Sequence, residues 1–242
     1  MALVLLVGAG LLLVLNAADG DDESTPDLPK TAWEKRAERI ERRLGKDTTN
    51  ERSLLVIARA WIGAGHERLD KLDTQDVIIP RIVTEDFRAG LRAWNRYLEQ
   101  TAGKAGTDIA QLAAGTYFEL IEIGSRDLGE VEANAAGAVR AARIAAKQQP
   151  GVFTHSNLAI YQYFNGEFAA GDRTAKVLAV DLSHEIHSDP NATLLRGYRA
   201  NAERFVRREK RAARILRESG DEQLPFLVKG YGSRGGLNGG EE

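Results

Sequence analysis

The pattern of apolar and polar residues changes most sharply at the start of this chain. Residues 1–18 read MALVLLVGAGLLLVLNAA, with Asn16 as the only polar side chain. A helix of this length spans roughly 27 Å, close to the hydrocarbon thickness of a bilayer. The pattern therefore favours a transmembrane anchor over residues 1–18. A cleaved signal peptide that ends near Ala17 or Ala18 and a buried core helix are the alternatives.

Two polar segments flank the remainder of the chain. Residues 19–30 contain five acidic side chains and two prolines, Pro26 and Pro29, which oppose helix formation, so they are predicted to form a disordered linker. This acidic flank predicts that the domain following the anchor lies outside the cytoplasm. Residues 220–242 are rich in glycine and are predicted to form a flexible tail.

Helical periodicity begins at residue 31. Thr31 is the expected N-cap of a short helix, and Gly45 is its expected end. The apolar side chains of this helix recur at steps of four, three and four residues: Trp33, Ala37, Ile40 and Leu44. The other positions are mostly charged, so we expect a surface helix with one face covered by a neighbouring element.

Two tetrapeptides, FRAG at 87–90 and FAAG at 168–171, indicate an internal repeat. Around the later tetrapeptide, residues at offsets of 0, 1, 8, 13 and 17 have the sizes expected of two closely crossing helices: Leu158, Ala159, Gly166, Gly171 and Ala175. The earlier copy offers Ile57, Ala58 and Gly65 in the same order, followed by an insertion. In this alignment Gly65 and Gly166 are the turn glycines.

The repeat predicts three helix pairs, at 50–66 with 84–101, at 108–149, and at 153–182. Small side chains at the crossings allow larger neighbours to interlock. The residues assigned to this packing are Ala58, Gly65, Phe87, Gly90, Ala138, Ala142, Ala159, Gly166, Phe168 and Gly171. Phe87 and Phe168 are expected to fill the gaps between successive pairs.

The order of segments, with AWEKRAERIERRLGKD, AGLRAWNRYLEQ and AVRAARIAAKQQP in the predicted domain, resembles membrane-tethered tetratricopeptide-repeat (TPR) proteins of actinobacterial type. The resemblance extends from residue 2 to about residue 183 and concerns architecture rather than activity. It implies an all-α fold, in which residues 31–219 form a short α-solenoid of degenerate TPR-like helix pairs. A long insertion and a single well-placed closing proline, Pro150, depart from the family pattern.

A long amphipathic helix is predicted after Pro190, with Asp189 or Asn191 as N-cap and Gly220 as its end. Its apolar stripe, interrupted by Glu209, consists of Leu195, Tyr198, Ala202, Phe205, Ala212 and Leu216. The helix is expected to cap the solenoid. Its opposite side carries a basic face that includes Arg199, Arg204, Arg207, Arg208 and Arg211. This face is either a solvated surface or a contact for anionic lipid, nucleic acid or an acidic segment.

Composition argues against several classes of function. The net charge of −2 gives no overall basic field, and the absence of cysteine excludes disulfides, thiolate catalysis and cysteine zinc sites. Residues 184–187 read HEIH, but the two histidines are three apart and fall in a predicted loop, unlike the helical spacing of four in zinc proteases. No nucleophile or phosphate-loop motif is present. We therefore expect no enzyme, no metal and no cofactor.

Two functions remain open at the level of sequence. The first is a membrane-anchored TPR-like scaffold that binds a protein segment at the cell envelope. The groove residues assigned to it by register are Arg59, Gln111, Asn157 and Gln162. The second is a structural or assembly factor that docks on anionic lipid through the basic C-terminal helix. Nucleic acid is a poor candidate partner, because the aromatic residues of that helix fall on its core stripe.

Overall fold

A computed structural model describes residues 29–44, 50–72, 79–125, 127–177 and 190–219. Within these ranges the chain is all-α, with eight helices and no strand. They are α1 (Ala32–Leu44), α2 (Glu51–Leu69), α3 (Arg81–Gln100), α4 (Thr107–Ile123), α5 (Leu128–Gln148), α6 (Val152–Phe164), α7 (Phe168–Val177) and α8 (Pro190–Ser219). The predicted anchor, residues 19–28 of the acidic linker and the C-terminal tail lie outside the described residues. None of the helices above is both long and apolar enough to cross a membrane.

The helices pack largely in sequence order. α2 with α3, α4 with α5, and α6 with α7 form three pairs, whose bounds agree with the predicted ones as far as the described residues extend. α1 packs on α2, α3 contacts α4, α5 contacts α6, and α8 packs on α6. α2 also contacts α4, so the first helices of the first two pairs are neighbours. The all-α class is confirmed.

Glycine residues pack closely against large side chains inside each helix pair. A Cβ atom at Gly90 of α3 would lie 2.6 Å from the Ile62 side chain of α2. The same close approach occurs between Gly137 and Tyr117 and between Gly171 and Tyr163. Ala58, Ala138, Ala142 and Ala159, which were assigned to packing, are buried. Gly90, Gly137 and Gly171 therefore lie where the two helices of a pair approach closely.

Two details of the predicted repeat are wrong. Gly166 does lie in the turn between α6 and α7, with φ of +77°, but Gly65 lies inside α2, where its missing side chain admits the ring of Phe87. α2 continues to Leu69, and Arg68 in its last turn is buried, so Gly65 does not end the helix. Phe87 contacts α2 within its own pair instead of filling a gap between pairs. Phe168 lies at a junction, since its ring stacks on Tyr163 and lies 5.7 Å from the Arg199 guanidinium of α8.

The buried apolar residues form two clusters. The larger joins α2, α3, α4 and α5 and includes the fully buried Trp94, and the smaller joins α6 and α8 around Tyr163 and Phe205. α1 covers the larger cluster with Ala37, Ile40 and Leu44, as its stripe predicts. The fourth member of that stripe, Trp33, is 41% exposed and packs over Gly63.

A buried ionic triad links the first three helices. Arg68 of α2 donates through Nη2 to Glu34 of α1 and through Nη1 to Asp86 of α3. All three residues are buried, so the two carboxylates neutralise the guanidinium where water does not reach. Burial raises the pKa of Asp86 to about 6 although Arg68 opposes the rise, so the carboxylate is ionised at pH 7. At the start of α1, the backbone N–H of Glu34 donates to the predicted cap, Thr31.

Candidate functional site

The outward sides of α2, α4 and α6 bring chemically distinct groups together at one surface. His66 Nε2 of α2 lies 3.7 Å from Glu119 Oε2 of α4, and both side chains are about one-third exposed. The ring of Tyr161 on α6 lies 5.3 Å from that of Phe118 on α4. We call this surface, defined by His66, Glu119, Glu122 and Tyr161, the first-helix face. Solvent reaches it, and residues from three successive pairs contribute to it.

The His66 and Glu119 pair is uncharged at neutral pH. Burial raises the pKa of Glu119 to about 8, and the negative charges of Glu122 and Asp70 add to the rise. Burial lowers the pKa of His66, against the opposing charge of Asp70. Glu119 therefore carries its proton at pH 7 while His66 lacks one. The Oε2 atom of Glu119 is covered, and no described group donates a hydrogen bond to it.

Glu122 and Tyr161 lie on the side of the first-helix face nearest α8, where Tyr198 adjoins them. The surrounding protein raises the pKa of Glu122. Because solvent reaches the Glu122 side chain, we regard the effect there as smaller than at Glu119. Burial raises the pKa of Tyr161 and of Tyr198, and the nearby Glu122 charge contributes to both shifts. The hydroxyl groups therefore stay protonated and can act as hydrogen-bond donors.

The middle of α4 is open to solvent at this surface. A Cβ atom at Gly115 would meet no described atom within 4 Å, unlike the packed glycines of the helix pairs. Gly115 is four residues before Glu119 and four after Gln111, so the three lie on one side of α4. The absence of a side chain at Gly115 leaves a shallow space next to the Glu119 carboxyl.

Three of the four predicted groove residues share this side of their helices. Arg59 is exposed and precedes His66 by seven residues, about two helical turns. The partly exposed Gln111 and Asn157 precede Glu119 and Tyr161 by eight and four residues. Gln162 does not fit, because it is buried and accepts a 2.7 Å hydrogen bond from Thr174 of α7. Gln162 therefore links α6 to α7 and does not lie on the groove.

Sequence reasoning missed His66, Glu119 and Glu122, the charged members of the first-helix face. Their register was a usable signal, since each follows an assigned groove residue at a helical interval. The sequence gives no signal for the proximity of His66 and Glu119, because that proximity depends on how α2 and α4 pack side by side.

The predicted basic face of α8 is present, with one exception. Arg204, Arg207, Arg208 and Arg211 are exposed, and so is Arg214. Arg199 is engaged within the protein, since its Nε donates to Asp172 at 3.1 Å and its Nη1 to Glu203. It therefore lies at the border between α7 and α8 and not on the exposed basic face.

Glu209 is the unusual member of the opposite, inward side of α8. It interrupts the apolar stripe formed by Leu195, Ala202 and Phe205, which are buried as predicted. Burial, with the nearby charge of Glu132 on α5, raises the pKa of Glu209 to about 7.

Neither a metal site nor a deep pocket is found in the part of the chain that the structure describes. No three His, Cys, Asp or Glu side chains there are placed to hold a metal ion. The HEIH segment lies outside the described residues. One open depression is bordered by Glu51, Tyr97, Lys104 and Gln148, without a cluster of reactive groups. Comparisons with protein-family models, curated proteins and solved structures found no match.

Proposed function

We propose that this chain is a protein-binding scaffold, in which TPR-like helix pairs form a short α-solenoid and the first-helix face binds a polypeptide segment. One observation carries the proposal: Gly115 leaves open space next to Glu119 and His66, on a surface to which three successive pairs contribute. A surface built from equivalent helices of successive pairs is where such scaffolds hold extended or helical segments. The apolar residues 1–18 would anchor this scaffold at the cell envelope, with the domain outside the cytoplasm.

The polar groups of the first-helix face suit a peptide ligand. Glu119 and the two tyrosines can donate hydrogen bonds to backbone carbonyls, while Arg59 and Glu122 offer opposite charges at the edges. Tyrosine is enriched where proteins bind one another, because it combines apolar area with a hydrogen-bonding group. Binding is therefore the function that we propose for this set of groups.

Selection of peptides tests the proposal directly. A random peptide library would be selected on the purified full-length protein, and the enriched peptides would be assayed against Gly115→Trp and Gly197→Trp. Both glycines are helical and open, but Gly197 lies on the outer side of α8, about 100° around the helix from Tyr198. We expect Gly115→Trp to weaken binding at least tenfold and Gly197→Trp to leave it unchanged. The proposal fails if no peptide is enriched, or if both variants bind the enriched peptides equally well.

A further inference from the structure

The exposed side of α8 carries an unusual concentration of arginine. Five exposed arginines recur at steps of three, one, three and three residues: Arg204, Arg207, Arg208, Arg211 and Arg214. At 3.6 residues per turn these positions fall within about 120° of the helix circumference and extend over about 15 Å. We call them the arginine face. It lies opposite the buried Ala202 and Phe205, which fix the orientation of the helix on the protein.

Acidic side chains of the helix lie outside the arginine face. Glu203 is at its border, where it bonds to Arg199 and lies 4.0 Å from Arg207. Glu209 is on the inward side, and its Oε1 atom is covered. No acidic residue between 204 and 214 falls on the same arc as the arginines. α8 therefore carries a local excess of positive charge along this arc, although Arg207 lies within ion-pair distance of Glu203 and the whole chain has a net charge of −2.

The shape of this side of α8 suits a broad, flat partner. Upstream of Arg204 the centre of the same arc carries small residues, Thr193, Gly197 and Ala200, and its edge carries Arg196, so that no large apolar group holds the arginines away from a surface. The aromatic residues of the helix, Tyr198 and Phe205, belong to the core side. A nucleic-acid site would more often present aromatic side chains to stack on bases. Guanidinium groups bind phosphate in two-pronged fashion, and a bilayer presents phosphates over a wide area.

We infer that the arginine face docks on the surface of a bilayer that contains anionic phospholipid. This inference does not depend on peptide binding at the first-helix face. Each basic residue close to such a surface strengthens binding roughly fivefold, so loss of all five arginines should weaken docking by more than about a hundredfold. Because the attraction is electrostatic, it should disappear at ~1 M salt, where the Debye length is about 3 Å.

Fluorescence energy transfer can measure this docking in the full-length protein. The chain has no cysteine, so Ala200→Cys would provide a single thiol for a donor dye beside the arginine face. The protein would be reconstituted in phosphatidylcholine vesicles with and without phosphatidylglycerol, with an acceptor on a few lipid headgroups. Energy transfer is preferable to cosedimentation because residues 1–18 are predicted to retain the chain on any bilayer. We expect higher transfer with phosphatidylglycerol and a return to the neutral-lipid value at high salt.

Two sets of glutamine substitutions, which change the net charge equally, distinguish the effect of the arginine face from the effect of overall charge. The first replaces the five arginines of the arginine face and should abolish the response to phosphatidylglycerol. The second replaces five exposed cations on α3 and α5 and should preserve it: Arg92, Arg96, Arg140, Arg143 and Lys147. Far-UV circular dichroism would verify folding. If the variant with all five substitutions does not fold, the double variant Arg204→Gln/Arg211→Gln replaces it. Its binding to the anionic bilayer should be weakened roughly twenty-fivefold.

Three results would overturn the inference. Transfer could be equal in the two kinds of vesicle, or the two sets of substitutions could reduce it equally, in which case net charge and not the arginine face is responsible. The third is a response to duplex DNA that requires the five arginines, without a response to phosphatidylglycerol. That outcome would assign the face to nucleic acid.

Discussion

The junction of α1, α2 and α3 and the first-helix face both hold carboxyl groups away from bulk water, but they stabilise them differently. At the junction, Glu34 and Asp86 both contact the Arg68 guanidinium. On the first-helix face, Glu119 lies beside an uncharged His66 and near the negative charges of Glu122 and Asp70, and it keeps its own proton. At the junction each carboxylate thus has a cationic partner, although the Nε atom of Arg68 has no hydrogen-bond partner among the described residues. On the first-helix face Glu119 lacks such a cation and lowers stability at high pH. Surfaces kept at such a cost are often functional.

The same contrast appears in the glycines of the two regions. At Gly65, near the junction, an added Cβ would lie 2.5 Å from the ring of the fully buried Phe87. At Gly115, on the first-helix face, it would meet no described atom. One glycine is required by packing, and the other leaves space. Four substitutions, two in each region, therefore test the comparison.

Replacement of the central cation should have the largest effect. Arg68→Ala leaves Glu34 and Asp86 buried without their counter-ion, so we expect the free energy of unfolding to fall by about 3–5 kcal/mol at pH 7. Urea denaturation monitored by circular dichroism would measure the change. In the matched variant Glu34→Leu/Arg68→Met/Asp86→Leu, all three charges are removed, and the loss should be smaller. A loss below about 1 kcal/mol for Arg68→Ala would contradict the view that the triad is needed at the junction.

Gly65→Ala should have the next largest effect. The added methyl group must displace the Phe87 ring, which also contacts His66 edge-on with 5.0 Å between centroids. Overpacking of this kind outweighs the gain in helix propensity, and we expect a net loss of about 1–2 kcal/mol. The companion test adds Gly65→Ala to the variant Phe87→Leu, which has a smaller side chain at position 87. In that background Gly65→Ala should cost less stability than it does in the presence of Phe87. If the two changes in the free energy of unfolding are fully additive, the side chains at positions 65 and 87 do not contact one another.

Glu119→Gln should raise stability, and only at higher pH. The pKa of Glu119 in the folded protein, about 8, lies above the ordinary 4.5, so the folded state binds a proton more tightly than the unfolded state. Its contribution to stability is therefore greatest below pH 4.5 and is lost as the pH rises toward 8. After allowance for partial exposure, we expect the variant to be more stable by about 1–2 kcal/mol at pH 8 and equal at pH 4.5. Urea titrations at the two pH values would test this, and an equal effect at both would refute the role of the proton.

The sequence was sufficient for the helices and their pairing because the relevant signals are local. The stripe from Ala37 to Leu44, the crossing glycines Gly90 and Gly171, and the start of α8 at Pro190 all depend on spacing within one or two neighbouring helices. Physical rules of helix packing act at the same range. The sequence misled at Gly65, since a glycine that ends a helix and one that admits a ring look alike without the partner helix.

The candidate sites were less accessible to sequence reasoning because they depend on tertiary placement. Glu34, Arg68 and Asp86 each look like an ordinary surface charge, and only the meeting of three helices makes them a buried triad. For the first-helix face, helical register predicted the side of each helix that is involved. It did not predict the contact between His66 and Glu119, which are fifty-three residues apart. The basic face of α8 was largely predictable, because a single amphipathic helix determines it.

Gly115→Ala should have the smallest effect, and its sign distinguishes the two regions most clearly. Because the added methyl group meets no described atom, alanine should contribute only its better helix propensity, a gain of about 0.5–1 kcal/mol in the free energy of unfolding. The gain should be equal at pH 4.5 and pH 8, unlike that of Glu119→Gln. Thermal and urea denaturation beside Gly65→Ala would measure it. A loss of stability would mean that this side of α4 is covered, and the first-helix face would then not be open to a ligand.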